Sequence, residues 1–288
     1  MWGAVEAGGT KFVCAVGTGP DRVEARTVIP TSDPDTTLSS VVEFLTRYPI
    51  RALGVATFGP VELREGHPNW GTITSTPKPG WKGVNLAGRL AESLGVPVGI
   101  DTDVNGAALG EWRWGAGRGM DPVVYVTVGT GVGGGAVIGG RPLHGLVHPE
   151  MGHVSVTRLP GDEFAGICPF HGDCLEGMVS GPALERRFGR PPSELGSETE
   201  AAVSLASTYL ARGLRQVVYV LCPEKIVLGG GVSRLPGLVG SVGVKLLDEL
   251  AGYGVTDQHR AEFVVPPALG DDSGILGGFV LAEAAAGR

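Results

Sequence analysis

Lysines and arginines gather nowhere in this chain. They number 23 against 30 acids, a formal net charge of -7, and without a basic cluster nucleic acid is not an expected partner. Long apolar runs are missing too. None approaches the length of a membrane span, so a membrane is not expected as a partner either. Cysteine is sparse: four in 288 residues do not make a disulfide scaffold. Met1-Trp2-Gly3 enters a strand-like run at once, which leaves no room for a signal peptide or a DNA-binding extension and places the expected protein in the cytoplasm. What remains is 42% hydrophobic and 18% charged, a globular composition with enough chain for one large or two medium domains.

Glycine is abundant, and its placement organises the chain. Val123 to Gly140 reads VVYVTVGTGVGGGAVIGG: a β-branched run, a Gly129-Thr130-Gly131 turn, then a short apolar run at Ala136 to Ile138. Ala4 to Gly17, AVEAGGTKFVCAVG, has the same plan around Gly8-Gly9-Thr10. Each reads as strand, tight turn, strand. Exposed backbone N–H groups in such turns make an anion-binding concavity, and phosphate is the natural occupant. Neither turn opens a helix as a dinucleotide fingerprint must, and no Gly-Lys-Ser/Thr follows at P-loop spacing. Taken singly, each is as well explained as an ordinary hairpin. Taken together they form a weak internal repeat and predict two similar lobes, each offering a phosphate-facing hairpin.

Between them the pattern alternates. Val23 to Ile29 reads as a strand, Thr36 to Tyr48 as an amphipathic helix and Ala52 to Ala56 as a buried strand. Strand, helix, strand makes a parallel crossover whose loops share one rim, where ligands of open α/β sheets gather. Gly66 to Gly83 is a long Pro/Gly-rich loop holding Trp70 and Trp81, whose rings serve either packing or stacking on a sugar. Leu86, Leu90 and Leu94 mark a helix with Gly95 as C-cap. The strand Val96 to Ile100 runs into Asp101-Thr102-Asp103-Val104-Asn105 and a helix. One of its two acids is expected to cap that helix while the other faces the cleft. Further on come a helix from Glu198 to Leu221, a strand from Glu224 to Leu228 ending in Gly229-Gly230-Gly231, a helix from Pro236, a strand at Phe263 to Val265 and a final helix from Gly274 to Ala285.

Cys14 and Cys222 sit in apolar surroundings and read as core thiols. Cys168, His171 and Cys174 differ: each is separated by two residues within GICPFHGDCLEG, a spacing that suits a zinc loop. His153 is the best fourth ligand, with His148 and His144 behind it. A closed set of four implies a structural ion.

The ordered set Glu6-Ala7-Gly8-Gly9-Thr10-Lys11, Asp103-Val104-Asn105 through Gly110-Glu111, Gly129-Thr130-Gly131 through Gly135, Glu150-Met151-Gly152-His153, the Cys168/His171/Cys174 cluster and Leu175-Glu176-Gly177 resembles the ROK sugar-kinase family across essentially the whole chain. The bacterial fructokinases are the subgroup it resembles most. Glu6 stands where most glucokinases of the family carry Asp, His171 where they usually carry a Cys-x-Cys-Gly pattern, and Thr76-Pro77-Lys78-Pro79-Gly80-Trp81 is typical of the fructokinase-like members. No helix-turn-helix precedes the first strand, unlike the repressor branch.

The resemblance implies an α/β chain with the actin-like ATPase fold, built from two RNase H-like lobes with the active site between them. Residues 1–115 would form the first lobe, with a C-terminal helix 272–288 packing back on it, and 116–271 the second, with the zinc loop 153–177. It implies a homodimer that binds ATP, Mg²⁺ and a hexose, fructose first. Asp103 would be the general base. Asn105, Glu150, His153 and Glu176 would hold the sugar. Gly8, Gly9, Thr10 and Lys11 would face the phosphates from one lobe and Thr130 and Gly131 from the other, with Gly229, Gly230, Gly231 and Pro182 on the adenosine side. Glu6 is the one acid singled out for magnesium. Glucose, mannose or an N-acyl hexosamine are the alternative substrates. A non-enzymatic sugar sensor and a chaperone-type ATPase are the rival classes.

Overall fold

The computed structural model describes residues 1–76 and 78–287. Pro77, in the fructokinase-like loop, and Arg288, the end of the expected last helix, lie outside the described residues.

Two sheets share one plan. In the first, β1 (Trp2–Ala7), β2 (Lys11–Gly19) and β3 (Arg22–Pro30) form an antiparallel meander. The strands β4 (Leu53–Thr57) and β5 (Val98–Thr102) then add in parallel on the free side of β1, giving the order β3-β2-β1-β4-β5. In the second, β6 (Val123–Val128), β7 (Val132–Ile138) and the short β8 (Arg141–Pro142) make the meander. The parallel additions are β9 (Lys225–Gly229) and β10 (Val264–Val265), giving β10-β9-β6-β7-β8. Counted from each sheet's own first strand, the two orders are identical, so the weak repeat in the glycine hairpins extends through the topology. β4 is buried at all its positions, as a central parallel strand covered on both faces must be.

Helices cover the sheets: α1 (Pro34–Leu45), α2 (Leu86–Leu94) and α3 (Asp103–Trp114) from the first half, and α4 (Leu175–Val179), α5 (Gly181–Phe188), α6 (Thr199–Leu221) and α7 (Leu238–Leu250) from the second. Gly95 takes the left-handed C-cap of α2, φ 64°, as expected. The last helix, α8 (Ser273–Ala286), returns to pack on β1, β4, β5 and α3. It lies at backbone contact: a Cβ on Gly54 would fall 1.8 Å from the Gly278 carbonyl oxygen, and one on Gly277 1.7 Å from that of Gly106. Only glycine permits that approach. α3 touches β4 and β5 on one side and β6 and β7 on the other, so it is the element shared by both sheets.

One expectation is corrected here, and one alternative is decided. Cys222 is exposed, not a core thiol. It ends α6 in the left-handed conformation, φ 46°, a backbone turn that leaves its side chain outside the core. Trp81 is fully buried against the rings of Phe12 and Phe58, and its indole N–H donates to the Ser32 carbonyl at 2.9 Å. It packs and cannot stack on a sugar. Trp70 packs against the same core, partly buried.

Candidate active site

The chain leaves β5 and enters α3 through Asp101-Thr102-Asp103, and the capping there differs from expectation. Thr102 is the N-cap: its hydroxyl accepts from the Asn105 N–H at 3.2 Å. Threonine caps well because its oxygen reaches the orphan donors of the first turn. Asp101 is therefore free to turn inward. It is buried, taking the Thr102 N–H at 2.8 Å and the Asn105 amide at 2.7 Å on one oxygen and His144 Nε2 at 2.9 Å on the other.

Asp103, the first residue of α3, lines a cavity of about 400 Å³ between the two sheets. Burial pushes its carboxyl up to about 6, partly offset by the Val104 N–H it accepts, while the charge of Glu150 raises it further. Glu6, at the end of β1, lines the same cavity and is raised to about 7, by burial first and then by Asp103. Gly229, Gly230, Ser233 and Arg234 close the other end. Gly231 and the turn residues Gly8 to Lys11, Thr130 and Gly131 are not among its lining.

Gly133, Gly134 and Gly135 belong to β7 and not to the turn. A Cβ on Gly135 would sit 2.4 Å from Asn105 Oδ1, and one on Gly134 2.6 Å from the Met151 sulfur. The bare strand lets the first turn of α3 and the segment Met151–His153 press directly onto the second sheet, and Asp103 feels the charge of Glu150 across that contact. Asn105 is 1% exposed, its amide nitrogen on Asp101 and its Oδ1 without a partner. Like Glu150, His153 and Glu176, it is not among the residues that line the cavity.

Glu150 is exposed, 3.3 Å from His148 Nδ1. Glu176, in the first turn of α4, accepts the Val132 N–H at 3.0 Å and so grips the β6–β7 turn. Pro182 stands beside Gly181, whose N–H donates to the Gly129 carbonyl at 2.7 Å on that same turn.

His153, Cys168, His171 and Cys174 bring one ligand atom each to within 4.8 Å of one another. His153 Nδ1 lies 3.7 Å from Cys168 Sγ and 3.6 Å from Cys174 Sγ, and His171 Nδ1 3.8 Å from Cys168 Sγ. With zinc–sulfur and zinc–nitrogen bonds of ordinary length, a tetrahedral edge between N and S is about 3.6 Å. The cluster fits that geometry. His148 and His144, held in reserve as ligands, lie elsewhere, paired with Glu150 and Asp101.

The family model of the ROK family matches residues 2–285. A fructokinase from Zymomonas mobilis is 43% identical over 99% of this chain and 97% of its own length. The chain belongs to the ROK family. Its fold is that of the ROK kinases, an actin-like ATPase arrangement of two sheets. A ROK hexokinase from Thermus thermophilus superposes with a TM-score of 0.80 at 31% identity, covering 97% of both chains. A ROK glucokinase from Streptomyces griseus, solved with glucose and AMPPNP, gives 0.73 at 25% identity over 97% of this chain and 98% of its own. Among the residues of this ROK chain, reading by sequence overlooked the Asp101–His144 pair, Ser233 and Arg234. The two-residue offset of Asp101 from Asp103 carried no signal of a partner so far along the chain.

Proposed function

We propose that this ROK chain is an ATP-dependent hexose kinase that phosphorylates fructose on its 6-hydroxyl. The observation that carries the reading is Asp103: a carboxylate raised to about 6 at a helix start, in the one cavity that also holds Gly229 and Gly230. Such a group is ionised at neutral pH yet basic enough to take the proton of a sugar hydroxyl as the oxygen meets the terminal phosphate. Glu150, His153 and Glu176 hold the sugar, with Asn105 beneath them. Gly8 to Lys11 and Thr130–Gly131 face the phosphates, and Gly229 to Gly231 with Pro182 face the adenosine.

Two metals belong to the reading. Magnesium, when bound with ATP, would neutralise charge on the terminal phosphates, and Glu6, which lines the cavity with Asp103, would be an acid able to hold it. Zinc on His153, Cys168, His171 and Cys174 has all four positions filled by protein, so its role is structural. We read the lobes as residues 1–115 with the C-terminal helix α8, and 116–271, and the protein as a cytoplasmic homodimer acting on small molecules.

Steady-state kinetics on a panel of fructose, glucose, mannose and N-acyl hexosamines tests this. The expected result is ATP turnover that requires sugar, with fructose giving the highest kcat/KM. Turnover without sugar would sink the kinase reading; preference for another hexose would move the substrate and keep the chemistry.

A further inference from the structure

His144 has no part in the roles above. It lies in the loop 143–150 that follows β8, on the second sheet, yet its ring reaches the end of β5 on the first. Its Nε2 is 2.9 Å from Asp101 Oδ2 and 3.5 Å from the Asn105 amide nitrogen. Asp101 is 1% exposed, and its other oxygen holds the Thr102 N–H and the Asn105 amide. Those two residues flank Asp103. The same loop ends at Glu150, whose charge Asp103 feels. One buried carboxylate thus joins both shoulders of the base to the loop that carries Glu150, and His144 is the residue of that loop bonded to it. Without it, Asp101 would be a buried anion lacking its cationic partner.

We propose that His144 is a positioning residue: its bond to Asp101 latches the loop 143–150 onto the first turn of α3 and holds Asp103 and Glu150 in register across the two sheets. The proposal rests on the reading of Asp103 as base.

The latch is pH-dependent in a definite sense. The hydrogen bond to Asp101 raises His144 above its ordinary 6.5, with the charges of Asp101 and of Glu65 adding to it and burial opposing it. Asp101 from β5 and Glu65 from the loop after β4 are the charged groups facing it, and Asn105 from α3 is polar and neutral. The charged latch is complete below the ordinary histidine value and is lost as pH rises through the raised one. Asp103 must be ionised to act, so activity falls as pH drops through about 6. The two groups together predict a bell, Asp103 on the acid limb and His144 on the alkaline limb.

The test combines kinetics and imidazole NMR on the full chain. His144→Ala should lower kcat about 100-fold, the cost of a base displaced by about an ångström. It should raise the KM for sugar and leave that for ATP within about twofold. His144→Gln, a neutral donor to Asp101, should recover kcat only in part, to the level the wild type keeps once His144 is neutral, and lose the alkaline limb. By NMR, His144 should titrate above 6.5 in the wild type and fall back in Asp101→Asn, a readout that needs no turnover. Thermal melts separate loss of fold from loss of register. Wild-type kcat in His144→Ala, an alkaline limb that survives in His144→Gln, or a His144 titration indifferent to Asp101→Asn would each overturn the latch. A wild type that phosphorylates no hexose while His144 titrates high would overturn the kinase reading instead.

Discussion

The two glycine hairpins occupy equivalent places in sheets of identical strand order, and they are held differently. The β1–β2 turn is kept by its own lobe: the Thr31 hydroxyl donates to the Gly8 carbonyl at 2.8 Å, and the ammonium of the half-buried Lys78 to that of Gly9 at 2.6 Å. The β6–β7 turn is clamped from α4 and α5, by the Glu176 carboxylate on the Val132 N–H and the Gly181 N–H on the Gly129 carbonyl. Glu176 lies two residues after Cys174, a member of the metal-ligand cluster. Equal topology therefore hides unequal anchoring. One turn is held by Thr31, just past β3, and by a half-buried lysine whose ammonium bond is open to solvent and can let go at little cost. The other is bolted, through a single helical turn, to the loop that carries the cluster.

The experiments that break or sharpen this contrast rank by expected size. Asp103→Asn removes what both turns serve: kcat should fall roughly 100-fold or more with ATP binding nearly unchanged, by single-turnover and equilibrium measurements. Near-wild-type turnover would show that Asp103 is not the base.

Stripping metal with a chelator, or Cys174→Ser, comes next. Freshly purified protein should hold about one zinc per chain. Its loss should lower the melting temperature and raise the KM for sugar on the order of tenfold. Because Glu176 ties the cluster to the second turn, the KM for ATP should rise as well, by less. A metal-free form that keeps its melting temperature would remove the contrast at its root.

Glu176→Ala should reproduce the ATP effect without metal loss, several-fold in KM, since it leaves the Val132 N–H without its partner. If ATP binding is untouched, the clamp is ornamental. Thr130→Val, which deletes one hydroxyl at the tip of the clamped turn, should weaken ATP binding by about fivefold. Lys78→Ala, on the loosely held turn, should change it by less than about twofold. An effect of Lys78→Ala larger than that of Glu176→Ala would invert the ranking of the two anchors.

Much was legible beforehand because it is local. Period-two and helical apolar spacing located the strands and most helices within a few residues, and the Cys-x-x-His-x-x-Cys spacing named three of the four clustered ligands. The rest was set by packing between distant segments. Gly133 to Gly135 fall between the expected turn and the expected apolar run and prove to be strand, where the absence of a side chain under α3 and Met151 is what they supply. Cys222 looks apolar by its neighbours, yet a left-handed helix end put it in solvent. Thr102 displaced both acids from the cap, and only then was Asp101 free to turn inward.

What the amino-acid order determined by itself is the repeated hairpin, the alternation that builds two like sheets, and the residue types available for phosphate, zinc and proton transfer. These follow from backbone freedom at glycine and from hydrophobic periodicity, which act over a few residues. Which acid of Asp101 and Asp103 faces the cavity, which histidine joins the metal cluster and which one reaches Asp101, and which glycine turn is clamped to that cluster were decided only when α3 was packed between the sheets. Those outcomes depend on burial and on hydrogen bonds between segments far apart in the chain, and desolvation of a carboxylate has no value until the walls around it exist.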